Sequence, residues 1–461
     1  MKTLLLIVLF LSLQLHSQTL PYWDSRYGYD LTGPESPPNS IITFNNSVYI
    51  GGYFKKLNSN TGAELTVNNI ARYEVASWKN LLDGVNAPVS AMSVFKNKLY
   101  TAGMFTKAGN KSSNCVAAWN GSDWEQVEGI ALGNISTLTS DANFLYVAGK
   151  FNSIAGVHSE SIARFNGKSW LPLAEGIRVI PSPMNGPLPQ INAIVHHANR
   201  IYVAGIFDTA GMVPAKNIAM WDGYTWHNLG KGLQGEVEAI TVLNDGTVYA
   251  TETVVNGILR TPLSIKRWNG IAWDSIPLPM QCSSINALAN DGDELFIGGS
   301  FTIDNVKQDY GLAHWNKNSW NSIGGGVIGT IKTLHYNDGT LYCGGIFLKI
   351  NGNIPCRNIA AYRMKEVISD TLTSKTNTIM ATPNPSPSQT VDLTLSLMED
   401  GYAYISIITQ DGREIQTLGE AIYEKGLYHI SWNTEGIASG IYHCIIHQHG
   451  TISTTTINII K

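Results

Sequence analysis

One phrase recurs along most of this chain: a hydrophobic residue, an aromatic, a small residue, Gly, any residue and Phe. It reads Val48-Tyr49-Ile50-Gly51-Gly52-Tyr53-Phe54 first, then Leu99-Tyr100 to Phe105, Leu145-Tyr146 to Phe151, Ile201-Tyr202 to Phe207, Leu295-Phe296 to Phe301 and Leu341-Tyr342 to Phe347. A degenerate copy, Val248-Tyr249-Ala250-Thr251-Glu252-Thr253-Val254, fills the gap between the fourth and fifth. With it there are about seven units at intervals of roughly 46 to 56 residues, the range of propeller blades and not of helical solenoids.

Further landmarks divide each unit into strands. An apolar run ends in an aromatic, a turn follows, and a second aromatic comes next: Trp119-Asn120-Gly121 to Trp124, Phe165-Asn166-Gly167 to Trp170, Trp221-Asp222-Gly223 to Trp226, Trp268-Asn269-Gly270 to Trp273 and Trp315-Asn316-Lys317 to Trp320. Asn-Gly and Asp-Gly suit a type I′ turn with two positive φ angles, so each aromatic pair is expected to bracket the hairpin between third and fourth strands. Nine of the 12 Trp residues sit in these hairpins. Large aromatics placed once per blade suit packing between neighbouring sheets, so they are assigned to the core. Four short strands per unit, with no helical period, predict an all-β radial repeat.

The last unit is truncated, because Asn358 to Tyr362 is followed by no Trp. The missing piece stands at the other end, where Pro21-Tyr22-Trp23-Asp24 is expected to supply the outer strand of the final blade and leave no open sheet edge. From about Pro21 to Met364 the chain resembles kelch-like, galactose-oxidase-type propellers, with most units showing Ala-Gly where that pattern has Gly-Gly. The expected fold is all-β, a seven-bladed β-propeller over residues 18–364 followed by a small Ig-like β-sandwich.

The two ends bear on destination. Residues 1–17 carry Lys2, an apolar run from Leu4 to Leu13 and a polar exit, too short to span a bilayer and placed as a secretory signal. After a Ser/Thr-rich linker over 365–380, a second domain over 381–461 shows Pro383-Asn384-Pro385-Ser386, Asp411-Gly412-Arg413, Trp432, Gly440-Ile441-Tyr442 and a final Lys461. As a set these resemble the type A C-terminal sorting domain of the type IX (Por) secretion system of Bacteroidota. The resemblance implies a seven-stranded sandwich read by the secretion machinery, attachment to surface lipopolysaccharide or release, and a secreted or outer-membrane cell-surface location. No transmembrane segment is expected in the mature protein.

A net charge of −4 from 31 basic and 35 acidic residues, with no basic stripe, argues against a nucleic-acid partner. The five cysteines, Cys115, Cys282, Cys343, Cys356 and Cys444, form no C-x-x-C pair and suggest no metal site. Cys343 and Cys356 fall on strands expected to be neighbours, so either a disulfide or two small buried apolar residues is open there. His196-His197 lacks ligand spacing, since neighbours on a strand point to opposite faces. Asp291-Gly292-Asp293-Glu294 resembles part of a calcium loop but reads as a turn. No catalytic motif is found, and neither cofactor nor metal is expected.

One position-specific feature remains. Aligned on the repeated phrase, the innermost strands hold Asn39, Ser90, Ser136, Asn192, Glu238, Asn286 and Lys332 in one slot, expected to ring a channel mouth. They either solvate the channel or hold a ligand. The longest excursion on that face, Gly176 to Gln190, adds Arg178 and Met184 as candidate contacts. The favoured function is an exported, non-catalytic module that binds an extracellular glycan or protein. The alternative is a secreted carbohydrate-active or redox enzyme, with Glu238 as the acidic candidate.

Overall fold

The structure, a computed structural model, describes residues 22–24, 26–28, 33–58, 64–74, 77–127, 131–180, 188–256, 259–303, 310–352, 354–364, 377–382, 384, 386, 389–410, 412–448 and 451–460. The signal segment expected over 1–17, Met184, Asp411 and Lys461 lie outside them. Regular structure among them is all strand, and no helix is long and apolar enough to cross a membrane. The chain divides into two compact units, Trp23–Arg363, and Met1–Tyr22 with Met364–Lys461.

The larger unit is a succession of four-stranded antiparallel sheets. The fourth shows the pattern: inner strand Gln190–His197, second Arg200–Ile206, third Ile218–Trp221 and outer Trp226–Asn228. The inner strands of the others are Pro38–Phe44, Val89–Phe95, Ala131–Ser140, Ile240–Val242, Met280–Asn290 and Val327–Asn337. Each touches the next, and the last touches the first, so the sheets form a ring of the propeller type. The alternation of each strand buries apolar side chains between sheets, as with Tyr146, Ile194, Val203 and Trp226 between the third and fourth.

In five of the sheets the outer aromatic couples its sheet to the one before it. The indole Nε1–H of Trp124 donates to Leu81 O (2.9 Å), Trp226 to Leu173 O (3.2 Å), Trp273 to Leu229 O (2.8 Å) and Trp320 to Pro277 O (2.8 Å). Each acceptor lies just past the outer strand of the preceding sheet. Trp23 makes the same bond to Gly324 O (2.6 Å) and stacks edge-on against Tyr362 at 5.1 Å. Its strand, Tyr22–Asp24, pairs with Ile359–Arg363 as the outer strand of the sheet that begins at Val327. Both ends of the larger unit thus meet in one sheet.

The aromatic hairpins correct one expectation. Their tips are four-residue loops closed by directly opposed aromatics such as Trp119 and Trp124, and not type I′ turns. Asn120, Asn166, Asp222, Asn269 and Asn316 each accept, through Oδ1, backbone N–H groups two and three residues on. That side-chain ring closes the turn, so positive φ is needed only at the following residue, as at Gly121 (107°). Two-residue turns with paired positive φ occur between inner and second strands, at Asn45-Asn46 and Asp338-Gly339.

The smaller unit is a sandwich. Thr378–Thr382, Thr390–Leu397 and Gly426–Asn433 form one sheet; Glu414–Tyr423, Gly401–Thr409, Gly440–Gln448 and Thr451–Ile459 form the other. Val391, Leu393, Ile405, Ile407, Trp432 and Ile446 fill the space between them. Its first strand begins inside the segment assigned to the linker, which ends before Thr378 because Ile379 and Ala381 pack on this core. All five cysteines are free thiols, which corrects the disulfide alternative for Cys343 and Cys356. Cys343 faces Ala360 across its ladder, while the Cys356 thiol donates to Ile359 O (3.2 Å).

Candidate functional site

The slot residues share a backbone reason for their position. In six sheets the ladder between inner and second strands skips one inner residue, and the skipped residues are Asn39, Ser90, Ser136, Asn192, Asn286 and Lys332. A β-bulge frees its extra residue from pairing and re-aims the side chain. The repeated glycine makes the bulge fit. A Cβ on Gly103, Gly149, Gly205, Gly299 or Gly345 would lie about 2 Å from a carbonyl oxygen in or just before the inner strand, for instance 1.9 Å from Gln190 O at Gly205.

Four of the bulged side chains stitch the ring. Asn39 Nδ2 donates to Val89 O (3.0 Å), Asn192 Nδ2 to Val237 O (3.0 Å) and Asn286 Nδ2 to Ile331 O (2.7 Å); Ser136 Oγ donates to Ile191 O. Each acceptor is the carbonyl just ahead of the slot on the next sheet. Ser90 and Glu238 are half-buried, and Lys332 is exposed. The slot therefore combines inter-sheet bonding with groups presented at one end of the ring.

Around Glu238 the pattern changes. Glu252 replaces the repeated glycine, and no carbonyl can approach it as closely. The inner strand shortens to Ile240–Val242, and Glu236 bridges Thr253 instead, with N–H to O bonds of 3.0 and 2.8 Å. Thr251 Oγ1 accepts the N–H of Ala239 (3.0 Å) and that of Glu238 (3.3 Å), replacing lost ladder bonds. Glu252 Oε1 accepts the N–H groups of Gln234 (2.8 Å) and Gly235 (2.9 Å), while Oε2 accepts from Ser264 Oγ (3.1 Å) and faces Lys266 Nζ at 3.3 Å. Burial pushes this carboxyl up. The backbone N–H groups of Gly235 and Gln234, with Lys266 and Ser264, outweigh burial and hold it below its usual range.

A second buried carboxylate stands beside it. Glu236 Oε1 accepts from Asn192 Nδ2 (2.9 Å) and Gln190 Nε2 (3.0 Å), tying the bulge of the fourth sheet to the altered fifth. Glu236 and Glu252 are the acidic residues that sequence reasoning missed. The available signal was Glu252 itself, at a position where the six sister phrases have Gly. Their oxygens are engaged by amides, N–H groups and Lys266, so these two carboxylates act here as pins of the backbone.

On the long excursion, Arg178 pairs with Glu160 and its carbonyl accepts the Asp208 N–H (2.9 Å), which ties the excursion's start to the ring. Asp291 Oδ1 accepts from Asp293 N (3.0 Å) and Glu294 N (2.9 Å), the bonding of a turn. Among the described residues no cluster of His, Cys, Asp or Glu could hold a metal ion. In the sandwich, Gly412 (φ 83°) and Arg413 turn the chain, with Thr409 N–H donating to Arg413 O (2.8 Å). Trp432 is fully buried and packs on Tyr442 at 5.7 Å, and the Tyr442 hydroxyl donates to Ala438 O (2.9 Å). Gly440 opens the strand that carries Tyr442.

No protein-family model matches the sequence, and no curated protein matches it. Among solved structures the chain is similar to PorZ, described as an essential bacterial surface component of the type IX secretion system of Porphyromonas gingivalis. The TM-score is 0.40 at 12% identity, over 90% of this chain and 64% of that one. This chain thus spans less than two-thirds of the length of that structure.

Proposed function

We propose that this protein is an exported, non-catalytic binding module whose ring takes an extracellular glycan or protein ligand at the bulged end of its inner strands. The observation that carries the reading is the convergence of one bulged position in each of six sheets on that end, with Lys332 exposed and Glu238 of the seventh slot half-buried among side chains that hold the ring. Ligands of propellers are held at such mouths because every sheet can contribute one group. The acidic residues nearby favour binding over hydrolysis. Glycoside cleavage needs a carboxylic acid and a carboxylate open to substrate, whereas Glu236 and Glu252 are buried and hydrogen-bonded.

Delivery through the type IX secretion system, to the cell surface or the medium, is part of the same proposal. It rests on the apolar run at Leu4 to Leu13 and on the landmark set of the sandwich, whose Gly412-Arg413 turn, buried Trp432 and Tyr442 belong to one folded unit. Attachment to lipopolysaccharide after export is proposed on the same resemblance. The test is binding of the full chain to an array of polysaccharides and surface glycans beside a Glu238→Gln/Lys332→Ala variant. Binding lost in the variant, with the polymer intact, is the expected result. Cleavage of any polymer would overturn the non-catalytic reading.

A further inference from the structure

The residue between Gly and Phe of the repeated phrase sits at the same end of the ring as the bulges. Ile346 pairs with Thr330, two residues ahead of Lys332, and Met104 N–H donates to Pro88 O (3.2 Å), two residues ahead of Ser90. In three sheets this residue is large, apolar and mostly in solvent: Ile346 is 54% exposed, Tyr53 65% and Met104 63%, with Leu348 beside Ile346 at 58%. The adjoining Phe347, Phe54 and Phe105 are buried, so the exposed side chains lie on the face opposite the core. The three sheets are consecutive, because the inner strands Val327–Asn337, Pro38–Phe44 and Val89–Phe95 touch in that order. The four side chains thus form an arc across the closure of the ring. Single exposed apolar residues need no explanation, whereas one at the same position of three consecutive sheets, all at one end of the ring, calls for one.

Charge around the arc has one prevailing sign. Exposed Lys332 and Lys349 stand on its seventh-sheet side, Lys55 and Lys107 follow the Phe residues of the first and second sheets, and Lys150 takes the equivalent position in the third. Lys56 is paired with Glu64 at 2.6 Å, and Glu35 accepts the Lys55 backbone N–H at 2.8 Å. Across the ring the position is held by Ile206 in the fourth sheet, less exposed at 40%, by Ser300 in the sixth and by buried Thr253 in the fifth, close to Glu236 and Glu252.

We infer that the arc of Ile346, Leu348, Tyr53 and Met104 docks a polypeptide segment in which apolar side chains alternate with carboxylates. The inference rests on the reading of this end of the ring as a binding face and names the class of its partner. Apolar anchors supply contact area and the lysines supply orientation and encounter rate. Anchors presented separately, one per sheet, suit side chains spaced along a backbone, while an acyl chain gains most from enclosure on all sides.

The probe is a short fluorescent peptide of alternating Leu/Phe and Glu/Asp, titrated with the full chain and followed by anisotropy. Binding weakened by added salt is expected, with affinity reduced about tenfold or more in Tyr53→Ser/Met104→Ser/Ile346→Ser. A Tyr224→Ser/Ile271→Ser variant, which removes exposed apolar groups at hairpin tips, should bind like the parent. All five residues are exposed, so thermal melting should not move, which separates lost binding from lost fold. The inference is overturned by absence of binding, by equal binding of the arc variant or of a Leu/Lys peptide, or by an arc variant that loses self-association or attachment to anionic vesicles instead. Glycan binding that survives while the peptide fails would sink this inference alone; failure of both removes the binding face itself.

Discussion

The fourth and fifth sheets share a plan and part at the repeated glycine. In the fourth, Gly205 lets the Gln190 carbonyl approach to a distance that no Cβ tolerates, so the inner strand bulges and Asn192 reaches the next sheet. In the fifth, Glu252 forbids that approach, and its own carboxylate takes over the orphaned N–H groups of Gln234 and Gly235. The lesson is that an inner strand can be positioned by backbone contact or by a buried charge, and that the second solution brings Glu236 beside Asn192. A buried, hydrogen-bonded carboxylate tolerates loss poorly, because what remains is a set of unsatisfied donors.

The comparison is most sharply broken from the fourth sheet. Gly205→Ala forces the strands apart and should destabilise the ring by about 4 kcal/mol, read from urea unfolding; a change within experimental error would refute the close approach as the reason for glycine. Glu252→Ala should cost about 3 kcal/mol by leaving Gln234 and Gly235 N–H groups without acceptors, and Glu252→Gln should recover part of it. Full stability in Glu252→Ala would mean that the fifth strand is held by something else.

The closure between the last and first sheets offers a third contrast, with an imidazole in place of a carboxylate. His335 Nε2 accepts the Thr43 N–H at 3.2 Å, and burial lowers its pKa from 6.5 to about 4. The unfolded chain therefore takes up this proton first. The contribution of His335 is full above pH 6.5, falls as the pH drops through that value, and levels off below about 4. The loss should be on the order of 3 kcal/mol, and His335→Gln should flatten that part of the profile measured by denaturation. The smallest effect is expected from Asn192→Ala, about 1 kcal/mol for the stitch to Val237. Asn286→Ala makes the matched comparison without a neighbouring Glu236, so a larger loss at Asn192 would measure that coupling.

Much of this was legible in the chain. Spacing of the phrase, the aromatic pairs and the truncated last unit all reflect contacts made once per sheet, and such contacts leave a period. The hairpin tips were legible as turns but not as to type, because Asn120 and its counterparts close them with a side-chain oxygen instead of a second positive φ. The start of the sandwich at Thr378 was hidden because Thr378 to Thr382 has no composition distinct from the Ser/Thr-rich stretch before it. Glu236 was invisible for a different reason: its importance comes from Gln190, Asn192 and Thr253, which approach it only in the folded ring.

By itself the sequence determined the all-β class, the order of strands within each unit and the aligned slot from Asn39 to Lys332, since these follow from local periodicity and turn chemistry. Only the tertiary structure decided what the slot does. Whether an Asn side chain meets solvent or a carbonyl depends on where the next sheet's backbone lies, and that distance is set by packing between strands tens of residues apart. The same holds for the arc at Tyr53, Met104 and Ile346. Three unremarkable apolar residues came to lie at one end of consecutive sheets when the ring brought the last sheet against the first.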